Sequence, residues 1–366
     1  MGLFNRLKDR FSGNQTDKPK EPISSTALLL TITIGAFFTM YILAMIIWGR
    51  GFLNPQQFFD IFNNNAYLII VACGVTLVMI AAGIDISVGG MIALVTMTCV
   101  VVLEDYGGNI AGTVFLALGM GLSIGLIQGF LISYLEIQPF IVTLGGMFFA
   151  KGLTTIVSKT PRTVTNEAFL IFKKLRIVIP GLGTYGKTGN FIPVRIEPGV
   201  IVALVIVFLI WAMLKWSRFG RNLYAVGGNR QSALMLGINV KRTTFLSYVI
   251  SGVLAGIGGY VYLLHTGAGN ATNATQAEIQ AIASSIIGGT LLTGGVGSVI
   301  GTLFGVLSLK TINNIVLASG LREPYWQSIT TGLMLCFFIL LQSVILSIRK
   351  NRGNRMAAKE AVQAEK

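Results

Sequence analysis

The sequence predicts an all-α polytopic membrane protein, with about ten transmembrane helices in two weakly related halves and both termini cytoplasmic. Three observations carry this. Of 366 residues, 53% are hydrophobic and only 11% charged, and mean hydropathy is +0.73, whereas soluble domains carry about a quarter charged residues. Apolar runs of about 20 residues, the length that crosses a bilayer, recur along the chain. The basic residues behind a formal net charge of +14 fall mainly in tails and loops, as the excess of Lys and Arg on cytoplasmic segments would place them. That distribution argues for membrane lipid, not nucleic acid, as the surface the charge meets.

Residues 1–22 are too long and too polar to be a cleaved signal, so residues 1–25 are expected to form a cytoplasmic basic tail. Residues 26–348 form the transmembrane domain, with spans expected near 26–48, 66–83, 86–103, 110–134, 139–158, 198–216, 244–264, 279–293, 296–318 and 327–348. Residues 349–366 form a second basic tail. An even number of spans returns Arg349, Lys350, Arg352 and Arg355 to the side of the N-terminus. Residues 159–197 are expected to be periplasmic although they carry Lys173, Lys174 and Arg176, because long loops translocate largely regardless of charge. Their prolines suggest an ordered cap. Residues 217–243 are expected to be cytoplasmic.

The 44 glycines include two rows at helical spacing, Gly121, Gly125, Gly129 and Gly297, Gly301, Gly305, which would let spans approach closely. Each row is followed by a Pro-aromatic pair, Pro139-Phe140 and Pro324-Tyr325. This suggests a weak internal duplication, a habit of transporters.

Few residues carry chemistry. Cys73, Cys99 and Cys336 lie in separate apolar runs and read as small core residues. A single His265 leaves no metal cluster. Residues 181–188, GLGTYGKT, fit the phosphate-loop pattern, but Pro180 before them and Gly189 and Pro193 after them deny the strand-to-helix context that such a loop needs. Asp85, in GIDIS between two spans, is expensive unless capped, paired or wet. The favoured reading is a helix cap by Asp85 or Ser87, with a pathway role as the alternative. Candidate pathway residues are Asn64, Asn65, Gln138, Thr143, Asn313 and Trp326, since amides and aromatic faces suit an uncharged polar solute. No catalytic constellation and no intramembrane charge pair is visible, so the chain reads as no enzyme and binds no cofactor of its own.

The stretch 217–243, SRFGRNLYAVGGNRQSALMLGINVKRT, stands out between two apolar runs. Asn229 is a good N-cap and Gly237 a good stop for a helix of about two turns over 230–236. With GIDISVGGMIAL (83–94), PFIVTLGGMFFAKG (139–152) and IASSIIGGTLLTGGVGSVIGTLFGV (282–306), this stretch resembles the membrane permease subunits of bacterial ABC sugar importers of the ribose/galactose/xylose type. The wording around GGMFFAKG and GGTLLTGGVGSVIGTLFGV is most similar to galactofuranose importer permeases. The resemblance implies a bacterial inner-membrane subunit, paired with a second permease in a homo- or heterodimer. It also implies a cytoplasmic ATP-binding subunit, which holds ATP and Mg, and a periplasmic sugar-binding protein. Carried onto this chain, Gly228, Asn229, Ala233, Leu236 and Gly237 match the segment that docks on the ATPase, with Ala233 and Leu236 expected on one helix face. A stand-alone secondary carrier, or an importer permease for a branched-chain amino acid, is the alternative reading.

Overall fold

The computed structural model describes residues 25–185 and 190–364, so all but the last residue of the expected N-terminal tail lies outside the described residues. In order, the elements are α1 (Ser25–Trp48), α2 (Arg50–Leu53), α3 (Pro55–Ile80), α4 (Val88–Glu104), α5 (Ile110–Ser133) and α6 (Pro139–Val157). There follow β1 (Arg162–Thr163), α7 (Glu167–Lys174), β2 (Ile177–Tyr185), β3 (Phe191–Ile196), α8 (Pro198–Trp216), α9 (Arg218–Gly228) and α10 (Arg230–Met235). The chain continues through α11 (Val240–Thr266), β4 (Ala268–Gly269), α12 (Ala277–Ile287), α13 (Val299–Ala318) and α14 (Pro324–Ala364).

Eight of these helices are long and apolar enough to cross a membrane: α1, α3, α5, α6, α8, α11, α13 and α14. The other two expected spans are the shorter apolar helices α4 and α12. The run 279–293 stops at Ile287 after an 11-residue helix, because Gly289, Gly294 and Gly295 take positive φ and turn the chain. Proline opens α3, α6, α8 and α14, where its fixed φ suits the first helical turn and its missing N–H costs nothing. Asn54 and Asn109 cap α3 and α5 through backbone N–H groups two and three residues on. The last helix does not end where the C-terminal tail was expected. It runs 41 residues to Ala364, roughly twice the length a bilayer needs.

The core is built around α3 and α11. Residues 68–80 of α3 are buried throughout. Helix α11 packs on α5, α3 and α4, and glycine sets the distance to α5. A Cβ on Gly121 would lie 2.4 Å from the Gly252 carbonyl oxygen, and one on Gly252 the same distance from that of Gly121. The first glycine row therefore meets a second row on α11, Gly252 and Gly256. The expected row at 297–305 is split: Gly297 lies before α13, while Gly301 and Gly305 pack on the Gly288 and Ser284 carbonyls at the end of α12.

The described part of the loop 159–197 is ordered. β2 and β3 pair antiparallel with an irregularity between Ile179 and Gly183, and β1 pairs with β4. Gln56 and Asn63 of α3 tie this hairpin down through the backbone of Arg195 and Glu197. The first part of the phosphate-loop pattern lies in β2, whose partner is a strand and not a following helix; Gly186, Lys187 and Thr188 lie outside the described residues. The hairpin marks one end of the bundle, and α9 and α10 mark the other.

Candidate functional site

At the α9–α10 end a compact module is built from local sequence. Ser217 caps α9 through the Gly220 N–H at 3.0 Å, and Asn229 caps α10 through the Ser232 N–H at 2.9 Å. Gly237, at φ +77°, closes α10: its N–H donates to Leu234 and that of Ile238 to Ala233, each at 3.0 Å. This pair of bonds is the left-handed stop that glycine makes easily. Asn239 then caps α11 through the Arg242 N–H.

Ala233 does not share a face with Leu236. It is 1% exposed and packs with Val226 and Val240 in a core of its own. The glycine stop swings Leu236 outward, so that Leu234, Met235 and Leu236 are 55%, 82% and 78% exposed. The three form an exposed apolar tip on a polar, basic loop.

The module is bolted to the interior. Gly227 lies against the Ile80 carbonyl at the end of α3 and the Gly295 N–H in the turn after α12, and those two groups bond each other at 2.9 Å. Tyr224 donates to the Gly297 carbonyl at 2.8 Å. Burial pushes its phenol up to about 12, so it remains a donor throughout the physiological range. Glu136, at φ +56°, reaches Arg230 at 3.6 Å and Lys241 at 3.5 Å, joining the α5–α6 turn to both ends of the α10 loop.

Asp85 lies just above this joint, fully buried. Its carboxylate accepts from the Ser87 N–H at 3.0 Å, the Ser87 hydroxyl at 2.6 Å and the Ser251 hydroxyl of α11 at 2.7 Å. Asp85 thus bonds the backbone at the start of α4, while Ser87, the N-cap residue, makes no side-chain cap of its own. Gln128 of α5 places its amide oxygen 3.1 Å from the Ser87 hydroxyl and leaves its nitrogen unpaired. Turning the amide over would make a continuous chain from Gln128 through Ser87 to Asp85, and such amide orientations follow from the network.

The expected pathway residues do not converge. Asn65 is buried, bonding the Ile61 carbonyl. Asn64 is exposed beside a polar cavity of about 360 Å³ under the hairpin. Gln138 is exposed at the start of α6, and Thr143 is buried against the Pro139 and Ile84 carbonyls. Only Asn313 and Trp326 meet, through Thr330, whose hydroxyl lies 3.4 Å from Asn313 Oδ1 and 2.9 Å from the Trp326 carbonyl. His265 pairs with Glu197 at 2.9 Å, and Glu197 also holds Arg176. Among the described residues no group of three metal-binding side chains occurs.

Two separate polar pairs form on α12, and the first overturns the expectation of no intramembrane charge pair. Lys151 of α6 lies 3.9 Å from Glu278 of α12, and Lys310 of α13 donates to Gln280 at 2.6 Å. Only the packing of α6, α12 and α13 reveals the two pairs. Their height along the bundle follows from α3. Thr76, one turn from the end of α3, bonds Ser285 and Thr302. Glu278 is seven residues before Ser285 on α12 and Lys310 eight after Thr302 on α13, placing the two pairs roughly 17 Å from the end of α3 at 1.5 Å per residue.

A family model described as branched-chain amino acid transport system / permease component matches residues 57–339. The chain belongs to this family of transport permeases. It is 36% identical to the inner membrane ABC transporter permease protein YjfF of Escherichia coli K12 over 89% of this chain and 95% of that one. It is 32% identical to the fructose import permease protein FruG of Bifidobacterium longum over 94% and 97%. It is 30% identical to the galactose/methyl galactoside import permease protein MglC of E. coli K12 over 85% and 94%. No solved structure gives a significant match.

Proposed function

We propose that this chain is the membrane permease of an ATP-driven sugar importer in a bacterial inner membrane, working with a second permease, a cytoplasmic ATP-binding subunit and a periplasmic sugar-binding protein. The observation that carries the coupling role is the exposed Leu234–Met235–Leu236 tip on a helix capped at both ends. A rigid helix transmits a push that a fraying one would absorb. Gly227 and Tyr224 pass it to the turns after α3 and α12. Gly228, Asn229 and Gly237 shape the helix and Ala233 anchors it, while Leu236 belongs to the docking surface. In this reading residues 217–243 and both tails are cytoplasmic, residues 159–197 are periplasmic, and ATP and Mg sit on the partner, with no catalysis on this chain. The relatives named for fructose and galactose favour a hexose or pentose over the amino acid of the family description.

The test is reconstitution with the ATP-binding subunit and sugar-binding protein. ATP-dependent uptake of galactose, galactofuranose, fructose or ribose is expected. Uptake by this chain alone without ATP would establish a secondary carrier instead, and uptake of leucine alone would establish an amino-acid permease. Orientation is checked with single cysteines at Lys173 and Arg221, which should label from outside and inside respectively.

A further inference from the structure

The coupling reading accounts for one end of the bundle and leaves the polar cavity at the other end unused. We propose that Asp60, Asn64 and Arg195 form a contact site there for a neutral, polyhydroxylated solute. The inference rests on the permease reading, in which the hairpin end faces the periplasm, and adds a first contact on the solute's route.

All three residues line one space. A cavity of about 360 Å³ lies between the start of α3 and the β2–β3 hairpin, within the size range of small-molecule sites. Asp60 and Asn64 are four apart on α3, so they share a helix face. Arg195 comes from β3, and its backbone fixes its position. The Gln56 amide accepts from the Arg195 N–H at 2.8 Å and donates to the Arg195 carbonyl at 3.1 Å. Asn63 donates to the same carbonyl at 3.1 Å and accepts from the Glu197 N–H at 2.9 Å. Two amides are thus consumed in holding strand to helix, and the wall needs no ordering when a solute arrives.

What remains unbonded is the recognition chemistry. Asp60 takes the Gln56 and Asn63 side-chain amides on Oδ1, at 2.7 and 3.1 Å, which leaves Oδ2 open among the described residues. The Asn64 amide and the Arg195 guanidinium are exposed and have no partner among the described residues. The other charged groups of the wall, Arg176 and Glu197, already pair at 2.9 Å. Two carboxylates and two guanidinium groups cancel around the cavity, so an ion of either sign gains no net attraction. An open acceptor, a set of open donors and an amide that does both suit hydroxyls, which donate and accept in turn.

The test measures binding to the full-length permease in nanodiscs, without ATP or partner subunits. D-galactose, D-fructose and D-ribose are offered singly, with L-leucine as the zwitterionic alternative, and binding is followed by saturation-transfer NMR. At least one sugar is expected to bind, and Arg195→Gln to weaken it roughly tenfold, the loss of one charged hydrogen bond. Asn64→Ala should weaken it less. Neither should change the melting temperature, since neither side chain bonds the protein. Occupancy is located with Ile192→Cys, at a lining position, in a Cys336→Ser background, because Cys73 and Cys99 are buried. The bound sugar should slow its reaction with a water-soluble maleimide. No sugar binding, binding that Arg195→Gln leaves unchanged, or labelling of Ile192→Cys that the sugar does not slow would each overturn the site. Binding of L-leucine alone would overturn the solute class. These measurements need no transport, so failure of the assembled importer to take up any sugar counts separately, against the permease reading.

Discussion

Replacing Met235 or Leu236 with aspartate should separate docking from folding at the α10 tip. These side chains keep 82% and 78% of their surface in the free chain, so nearly all of their apolar area is available to a partner. Burying such a side chain contributes about 2 kcal/mol, and losing it weakens association roughly 30-fold. An aspartate that must be desolvated adds to the loss. Ala233→Asp offers the contrast: at 1% exposure it would place a carboxylate inside the Val226–Val240 cluster and damage the module itself. The assay pairs ATPase-subunit binding with thermal unfolding of the permease in nanodiscs. Met235→Asp and Leu236→Asp should lose binding with an unchanged melting temperature, while Ala233→Asp should lower both. If the tip variants bind the ATP-binding subunit as well as wild type, the exposed tip is not the docking surface.

Ser251→Ala removes one of three donors from the buried Asp85 carboxylate and should cost about 1–3 kcal/mol, read as a lower melting temperature, with Ser251→Thr milder. Gly305→Val would set a Cβ 2.0 Å from the Ser284 carbonyl, forcing α12 and α13 apart; folded yield in the membrane should fall sharply, whereas Gly332→Val, with open space around it, should be tolerated. At the hairpin end, partial burial works against ionisation of Glu104, but the Thr165 hydroxyl and the Asn166 and Thr165 N–H groups outweigh it and hold the carboxyl below its usual value. A lowered value means that the bond stabilises above the unfolded-state pKa and is lost as pH falls through the folded one. Proteolysis of the loop 159–166 should therefore rise on acidification below the usual carboxylate range, and Glu104→Gln should remove that dependence.

The spans, the basic loops and the capped helix over 230–235 are legible in sequence because each rests on local physics: length of apolar run, charge bias, and a cap and stop a few residues apart. The same locality explains why α4 and α12 looked like full spans, since hydropathy counts residues and does not see where the backbone breaks. Asp85 was conspicuous beside a span boundary, yet its tie to Ser251 spans 166 positions and follows only from how α11 packs. Lys151, Glu278 and Lys310 show the limit most clearly. Nothing along the chain connects residue 151 with 278 or 280 with 310. Close approach does: Gly89 admits the Glu278 side chain and Gly301 and Gly305 bring α13 onto α12. The sequence by itself thus determined that the chain crosses a membrane and carries a short capped helix in a basic loop. Tertiary structure alone decided which side chains of that helix stay exposed and where the charges pair, because both depend on packing between segments far apart in the chain.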